Sequence, residues 1–225
     1  MVSIVSKLAA EFVGTAVLVC VVVGSGIMGD ALSQDLGIAL IINALSTVFA
    51  LALLIAILAP ISGAHLNPAV SLAQLLSHAI RAGEAAGYVV AQIAGAILGA
   101  IVANVMFDLP ALQISGHSRV SFGMLLGEAI ATAGLIIVIG VLSSRGQATL
   151  IPVAVATWIG SAYFFTSSTS FANPAVTIGR MFTDTFAGIE PASVFPYIAA
   201  QLVGAVIGLG AVGLLTNSAR HTLDS

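Results

Sequence analysis

The sequence predicts an all-α membrane protein of six transmembrane helices plus two half-helices, arranged in inverted repeats. Three observations carry that prediction. First, 59% of the residues are hydrophobic and only 7% charged, with a mean hydropathy of +1.15. Soluble domains carry about 25% charged residues, so this chain could not cover its surface in water. Second, its apolar stretches reach the roughly 20 residues that a crossing needs. Third, Asn-Pro-Ala occurs twice inside apolar regions, as Asn67-Pro68-Ala69 and Asn173-Pro174-Ala175.

Residues 4–27 form the first span. One Lys followed by the acidic Glu11 within the run makes a poor cleavable signal peptide and a better membrane helix. A polar loop holding Asp30 and Asp35 follows. Residues 36–59 form the second span, ended by Pro60, which cannot donate to a helix. Residues 61–66 are small and lack a helical period. A short helix then runs from Asn67 to about Ser77, too short to cross. After a turn at 79–83, residues 84–107 form the third span. Residues 111–121 hold Gly116, His117 and Arg119 and read as an exposed, solvated loop.

The second half repeats the plan. Residues 122–142 and 150–165 are spans separated by a short loop at 143–147. A Ser/Thr segment at 166–172 precedes a second short helix, 173–182. Residues 191–215 form the last span, and 216–225 are a polar tail. The repeat also shows in residues. Glu11-Phe12-Val13-Gly14-Thr15 has a looser partner in Glu128-Ala129-Ile130-Ala131-Thr132. Tyr88, Gln92, Gly95 and Gly99 match Tyr197, Gln201, Gly204 and Gly208 at one constant offset. Each half, 4–107 and 122–215, has three crossings, so the second enters from the opposite face and the broken helices meet near the midplane. The whole chain, 1–225, reads as a single transmembrane domain. Lys7, Arg81, Arg145 and Arg220 share one side and only Arg119 and Arg180 the other, which puts both termini in the cytoplasm.

The two motifs carry the chemistry. Asn is a strong N-cap and Pro suits the first helical position, so each motif starts a helix. A helix starting in mid-membrane must have its polar backbone buried in protein or lining a cavity. Two N-termini meeting there bring partial positive charge and unpaired N–H donors, with Asn67 and Asn173 adding side-chain donors. The non-helical segments before them offer carbonyl acceptors or vestibule wall at Gly63, Ala64, His65, Ser168 and Thr169. Neutral, hydrogen-bonding solutes fit such a path, and cations are repelled. The His65 ring either lines the inner vestibule or packs.

Glu11 and Glu128 are ionisable residues within spans, which invites a functional reading. Their matched positions suggest that each binds backbone N–H groups of the non-helical segment in its own half. The alternative is a proton-relay pair in a proton-coupled small-solute transporter. Gly14, Gly95, Gly99, Gly204 and Gly208 read as close helix contacts, and Gln92 and Gln201 as interhelical polar contacts. Cys20 is the sole cysteine. There is no P-loop, catalytic triad or metal-ligand cluster, so neither an enzyme nor a cofactor or metal is expected. The net charge of −3 does not suggest nucleic acid as a partner.

Ser62-Gly63-Ala64-His65-Leu66-Asn67-Pro68-Ala69-Val70, the second Asn173-Pro174-Ala175, Ala10-Glu11-Phe12-Val13-Gly14-Thr15 and the inverted repeat together resemble the aquaporin (major intrinsic protein) family over about 7–215. The resemblance implies a homotetramer in the inner (plasma) membrane, surrounded by lipid, with one pore per subunit. Helix ends excluding cations are the barrier described for aquaporin-type pores in general. Most members place Arg directly after the second motif, in the narrowest ring of the pore. Here that position is Val176. Ungapped spacing from the two Asn residues carries the other ring positions onto Thr47, Ser161 and Ser170. All four are small, so the resemblance implies a wide, uncharged filter. Glycerol channels typically place Asp where Thr177 stands. The chain is thus similar to a bacterial aquaglyceroporin-like branch with an open filter, including members associated with arsenic resistance. Arsenous acid is a neutral trihydroxy solute, much like glycerol in its donors and acceptors. Arg180 suits the negative end of the second short helix and falls outside the expected ring.

Overall fold

A computed structural model describes residues 2–221. The helices are α1 (Ile4–Leu32), α2 (Leu36–Ser62), α3 (Pro68–Leu76), α4 (Ala82–Met106), α5 (Phe122–Ser144), α6 (Ile151–Phe165), α7 (Pro174–Arg180) and α8 (Pro191–His221). A 3₁₀ turn at Ala148–Leu150 leads into α6. Among the described residues, six helices are long and apolar enough to cross a membrane, with α3 and α7 as the short pieces between them. The chain is a multi-pass membrane protein.

Several boundaries differ from expectation. Pro60 does not end α2, which continues to Ser62. So near a C-terminus the missing N–H costs one bond, and Gly63 supplies the stop. Its left-handed backbone (φ +89°) lets its N–H reach Ala59 O at 3.0 Å. α7 stops at Arg180 rather than 182, and α1 runs on to Leu32. The expected polar tail is helical as far as His221, because α8 carries on past Thr216. Its last four residues lie outside the described part.

The two halves pack alike. α1 lies along α4, and α5 lies along α8. At the first contact Gly95 and Gly99 face the backbone carbonyls of Phe12 and Ala16. At the second, Gly204 and Gly208 face those of Ala129 and Ala133. A Cβ at any of these four would collide with an oxygen, so glycine is what lets the backbones approach. α2 meets α6 across the interior. Each half-helix docks on both long closing helices, α3 on α4 and α8, α7 on α8 and α4.

Polarity is inverted relative to a soluble protein. Glu11, Gln92, Glu128 and Gln201 are fully buried, while Ile41, Leu45, Phe49, Leu53 and Ile57 are exposed at four-residue spacing along α2. That apolar stripe suits a hydrocarbon solvent.

A cavity between two half-helices

Each Asn of the paired motifs does two things. As N-cap, Asn67 Oδ1 accepts from Ala69 N at 2.9 Å, and Asn173 Oδ1 accepts from Ala175 N at 3.0 Å and Val176 N at 3.2 Å. Across the join, Asn67 Nδ2 donates to Ala172 O at 2.7 Å and Asn173 Nδ2 donates to Leu66 O at 2.8 Å. The half-helices are thus tied tip to tip by a reciprocal pair. An Asn amide has two N–H groups, so one on each side chain is left after the cross-bond.

The segments leading into the tips are held in strained backbone. Ala64 and Leu66 before Asn67 have φ of 48° and 49°, and Ser170 and Ala172 before Asn173 have 52° and 46°. Each such non-glycine residue costs about 1–3 kcal/mol and persists only where its surroundings fix it. Here a buried carboxylate does so. Glu11 accepts from Ser62 Oγ (2.6 Å), His65 N (2.9 Å), Leu66 N (2.6 Å) and Gln92 Nε2 (2.7 Å). Glu128 accepts from Phe171 N and Ala172 N, both at 2.9 Å, and from Gln201 Nε2. Gln92 also reaches Ser71 on α3, and Gln201 reaches Thr177 on α7, so each Glu–Gln pair clamps loop, half-helix and long helix together. His65 packs its ring edge-on against Tyr88 and bonds Ser71 Oγ through Nδ1, while also lining the cavity.

A cavity of about 340 Å³ runs past these tips. At one mouth it is lined by Lys7, Ile80 and Glu84, with Lys7 and Glu84 paired at 2.7 Å. It passes Gly63, Ala64, His65, Asn67 and Asn173, and ends among Tyr163, Ser170, Phe171, Val176 and Arg180. Leu18, Val22, Leu51, Ile55 and Ile159 make its wall largely apolar. Glu11 and Glu128 are fully buried outside it.

Of the four residues expected in the ring, Thr47, Ser170 and Val176 line this cavity and Ser161 does not. Ser161 is exposed on the outer face of α6. Two residues on, about 200° round the helix, Tyr163 is buried, lines the cavity and donates to Thr47 Oγ1 at 3.1 Å. Thr47 in turn donates to Asn43 O at 2.8 Å. The level is therefore not composed of small residues alone: an aromatic ring stands where a serine was expected. Ungapped spacing carried the position onto Ser161, whereas the structure turns Tyr163 inward. Ser168 and Thr169 also lie off the cavity, where Ser170, Phe171 and Ala172 stand instead. The Ser168 hydroxyl is turned to Ser170 N and Thr166 Oγ1.

Two arginines near this mouth differ from expectation. Arg119 is not merely solvated: its Nε donates to Gly188 O at 2.7 Å and an Nη to Phe186 O at 3.0 Å, pinning the 107–121 connection onto the 181–190 loop. Burial pulls its guanidinium below the ordinary arginine pKa range. Arg180 lines the cavity, with Nε donating to Ala187 O and its guanidinium 3.4 Å from the centre of the Phe171 ring. Its place was legible in principle, since Val176 and Arg180 are four apart and share one face of a helix.

The comparisons agree with this architecture. Residues 1–167 match the family model for the major intrinsic protein. The chain is 46% identical over 211 residues to aquaglyceroporin AqpS of Rhizobium meliloti (strain 1021), covering 94% of this chain and 90% of that one. It is 33% identical over 219 residues to aquaporin Z of Brucella melitensis, covering 90% and 94%. Its fold matches the X-ray structure of the aquaglyceroporin from Plasmodium falciparum with a TM-score of 0.72, over 92% of this chain and 95% of that one, at 24% identity. The chain belongs to the major intrinsic protein family. Members of this family are passive membrane channels, not enzymes.

Proposed function

We propose that this protein is a passive channel for small neutral solutes: water, glycerol-like polyols and arsenous acid. The observation that carries the reading is the cavity running past two half-helix tips joined by reciprocal Asn bonds. At the tips the donors left on Asn67 and Asn173 meet a solute hydroxyl, and the carbonyls of Gly63, Ala64 and His65 accept from it. The apolar wall takes its hydrocarbon side. Thr47, Tyr163, Ser170 and Val176 form the filter, amphipathic rather than wide open.

Transport is downhill rather than proton-coupled. Four donors fill the acceptor sites of Glu11, so protonating it would break one of its bonds, and neither Glu faces the path. Residues 1–225 act as one channel domain in the plasma membrane, with both termini cytoplasmic and the Lys7–Glu84 mouth inward. The assembly is a lipid-embedded homotetramer. The relatives named as aquaglyceroporin and aquaporin Z support a polyol and water substrate class. A stopped-flow panel of water, glycerol, urea and arsenite in proteoliposomes tests the reading. Glycerol and arsenite should enter faster than into empty vesicles; passage of water alone would contradict it.

A further inference from the structure

Val176 leaves the wall beyond the Asn pair uncharged, yet the cavity does not end there. One turn farther along α7, about 6 Å, Arg180 lines the same cavity. Its side chain is fixed in two ways, by Nε donating to Ala187 O and by the guanidinium lying 3.4 Å over the Phe171 ring. Among the described residues its terminal nitrogens bond no protein group and are not sealed from the cavity. It forms no ion pair among the described residues either. Glu84 is the one carboxylate lining the cavity among them, and it sits at the opposite mouth, held by Lys7. Arg119 adds a second cation 5.3 Å from the same ring, held by Nε donating to Gly188 O and an Nη to Phe186 O.

We propose that Arg180 is the specificity-determining cation of this channel: its fixed charge excludes metal cations at the α7 mouth, and its free N–H groups donate to hydroxylated solutes entering there. This rests on the channel reading above. A guanidinium stays protonated at neutral pH, so the charge is present under transport conditions. A cation passing within a few ångströms of it, between apolar walls, meets a repulsion that bulk water would screen. A neutral polyol meets only donors. Phe171 presents its face to the guanidinium, an attraction that holds the group in place without neutralising it.

The test uses purified full-length protein in proteoliposomes, with potassium leak and glycerol entry measured on the same vesicles. R180M and R180Q remove the charge, and the Gln amide can still donate toward Ala187. R180K keeps the charge. The proposal expects the potassium-to-glycerol ratio to rise at least ~10-fold in R180M and R180Q, the scale of one fixed charge acting at short range. In R180K the ratio should stay near that of the unaltered protein. An unchanged ratio in both neutral variants, or R180K leaking as much as R180M, would overturn it. A ratio that rises only because glycerol entry falls, with potassium leak unchanged in both neutral variants, would also overturn it. If the unaltered protein itself carries no glycerol, the channel reading fails first and this one with it.

Discussion

At Asn67 a single side chain caps one half-helix and holds the tip of the other. Removing it deletes a cap, worth about 1 kcal/mol, and a buried hydrogen bond worth about the same. Asn67→Ala should therefore lower stability by roughly 2 kcal/mol in detergent unfolding. Asn173→Ala should cost at least as much, because Asn173 makes the same cross-bond and caps two N–H groups rather than one. The double variant should depart from additivity by at least about 0.5 kcal/mol, since both residues hold one joint. Strict additivity would mean that the tips do not support each other. The filter makes a second residue-scale prediction. Tyr163→Ala should speed glycerol entry several-fold, by clearing the ring that bonds Thr47. Ser161→Trp should leave entry unchanged, since Ser161 is exposed on the far face of α6. The opposite pattern would restore Ser161 to the filter.

At the scale of elements, each buried Glu is a template for a loop. In Glu11→Gln an amide NH₂ would face the N–H groups of His65 or Leu66, donor against donor. A buried unsatisfied donor costs about 1–3 kcal/mol, so the variant should unfold at a lower temperature than the unaltered protein in a detergent thermal melt; an unchanged melting temperature would contradict this. The helix seams are as selective. Gly204→Ala drives a methyl into the Ala129 carbonyl, whereas Gly210→Ala on the same helix meets open space. Dispersible protein should be lost in the first and kept in the second, by size-exclusion yield. The starts of these elements were legible because Asn, Pro and Glu act locally or at matched positions in the repeat. Asn67 and Asn173 do sit at helix starts, and the Gly pairs of α4 and α8 do face backbone. Their ends and facings were less so. Pro60 was outweighed by a glycine cap, and which face of α6 meets the cavity was not fixed by spacing from Asn173 alone. Arg119 found partners only once two distant connections had folded together.

At the scale of the molecule, the chain buries Glu11, Glu128, Gln92 and Gln201 while exposing an apolar stripe along α2. The bilayer supplies the apolar solvent, and the inverted repeat supplies a polar axis that a lipid cannot reach. That division was plain from composition and hydropathy, because six long apolar stretches leave few alternatives. The proposed homotetramer predicts a protein mass in detergent of four times 22.6 kDa by light scattering, and a monomer would contradict it. The central claim is a downhill path for neutral solutes between the two Asn tips. Glycerol entry into proteoliposomes, followed with and without a proton gradient, tests it most directly. The account predicts entry faster than into empty vesicles, at a rate that a protonophore does not change. Entry that stops with the protonophore, or glycerol accumulating against its gradient, would contradict it.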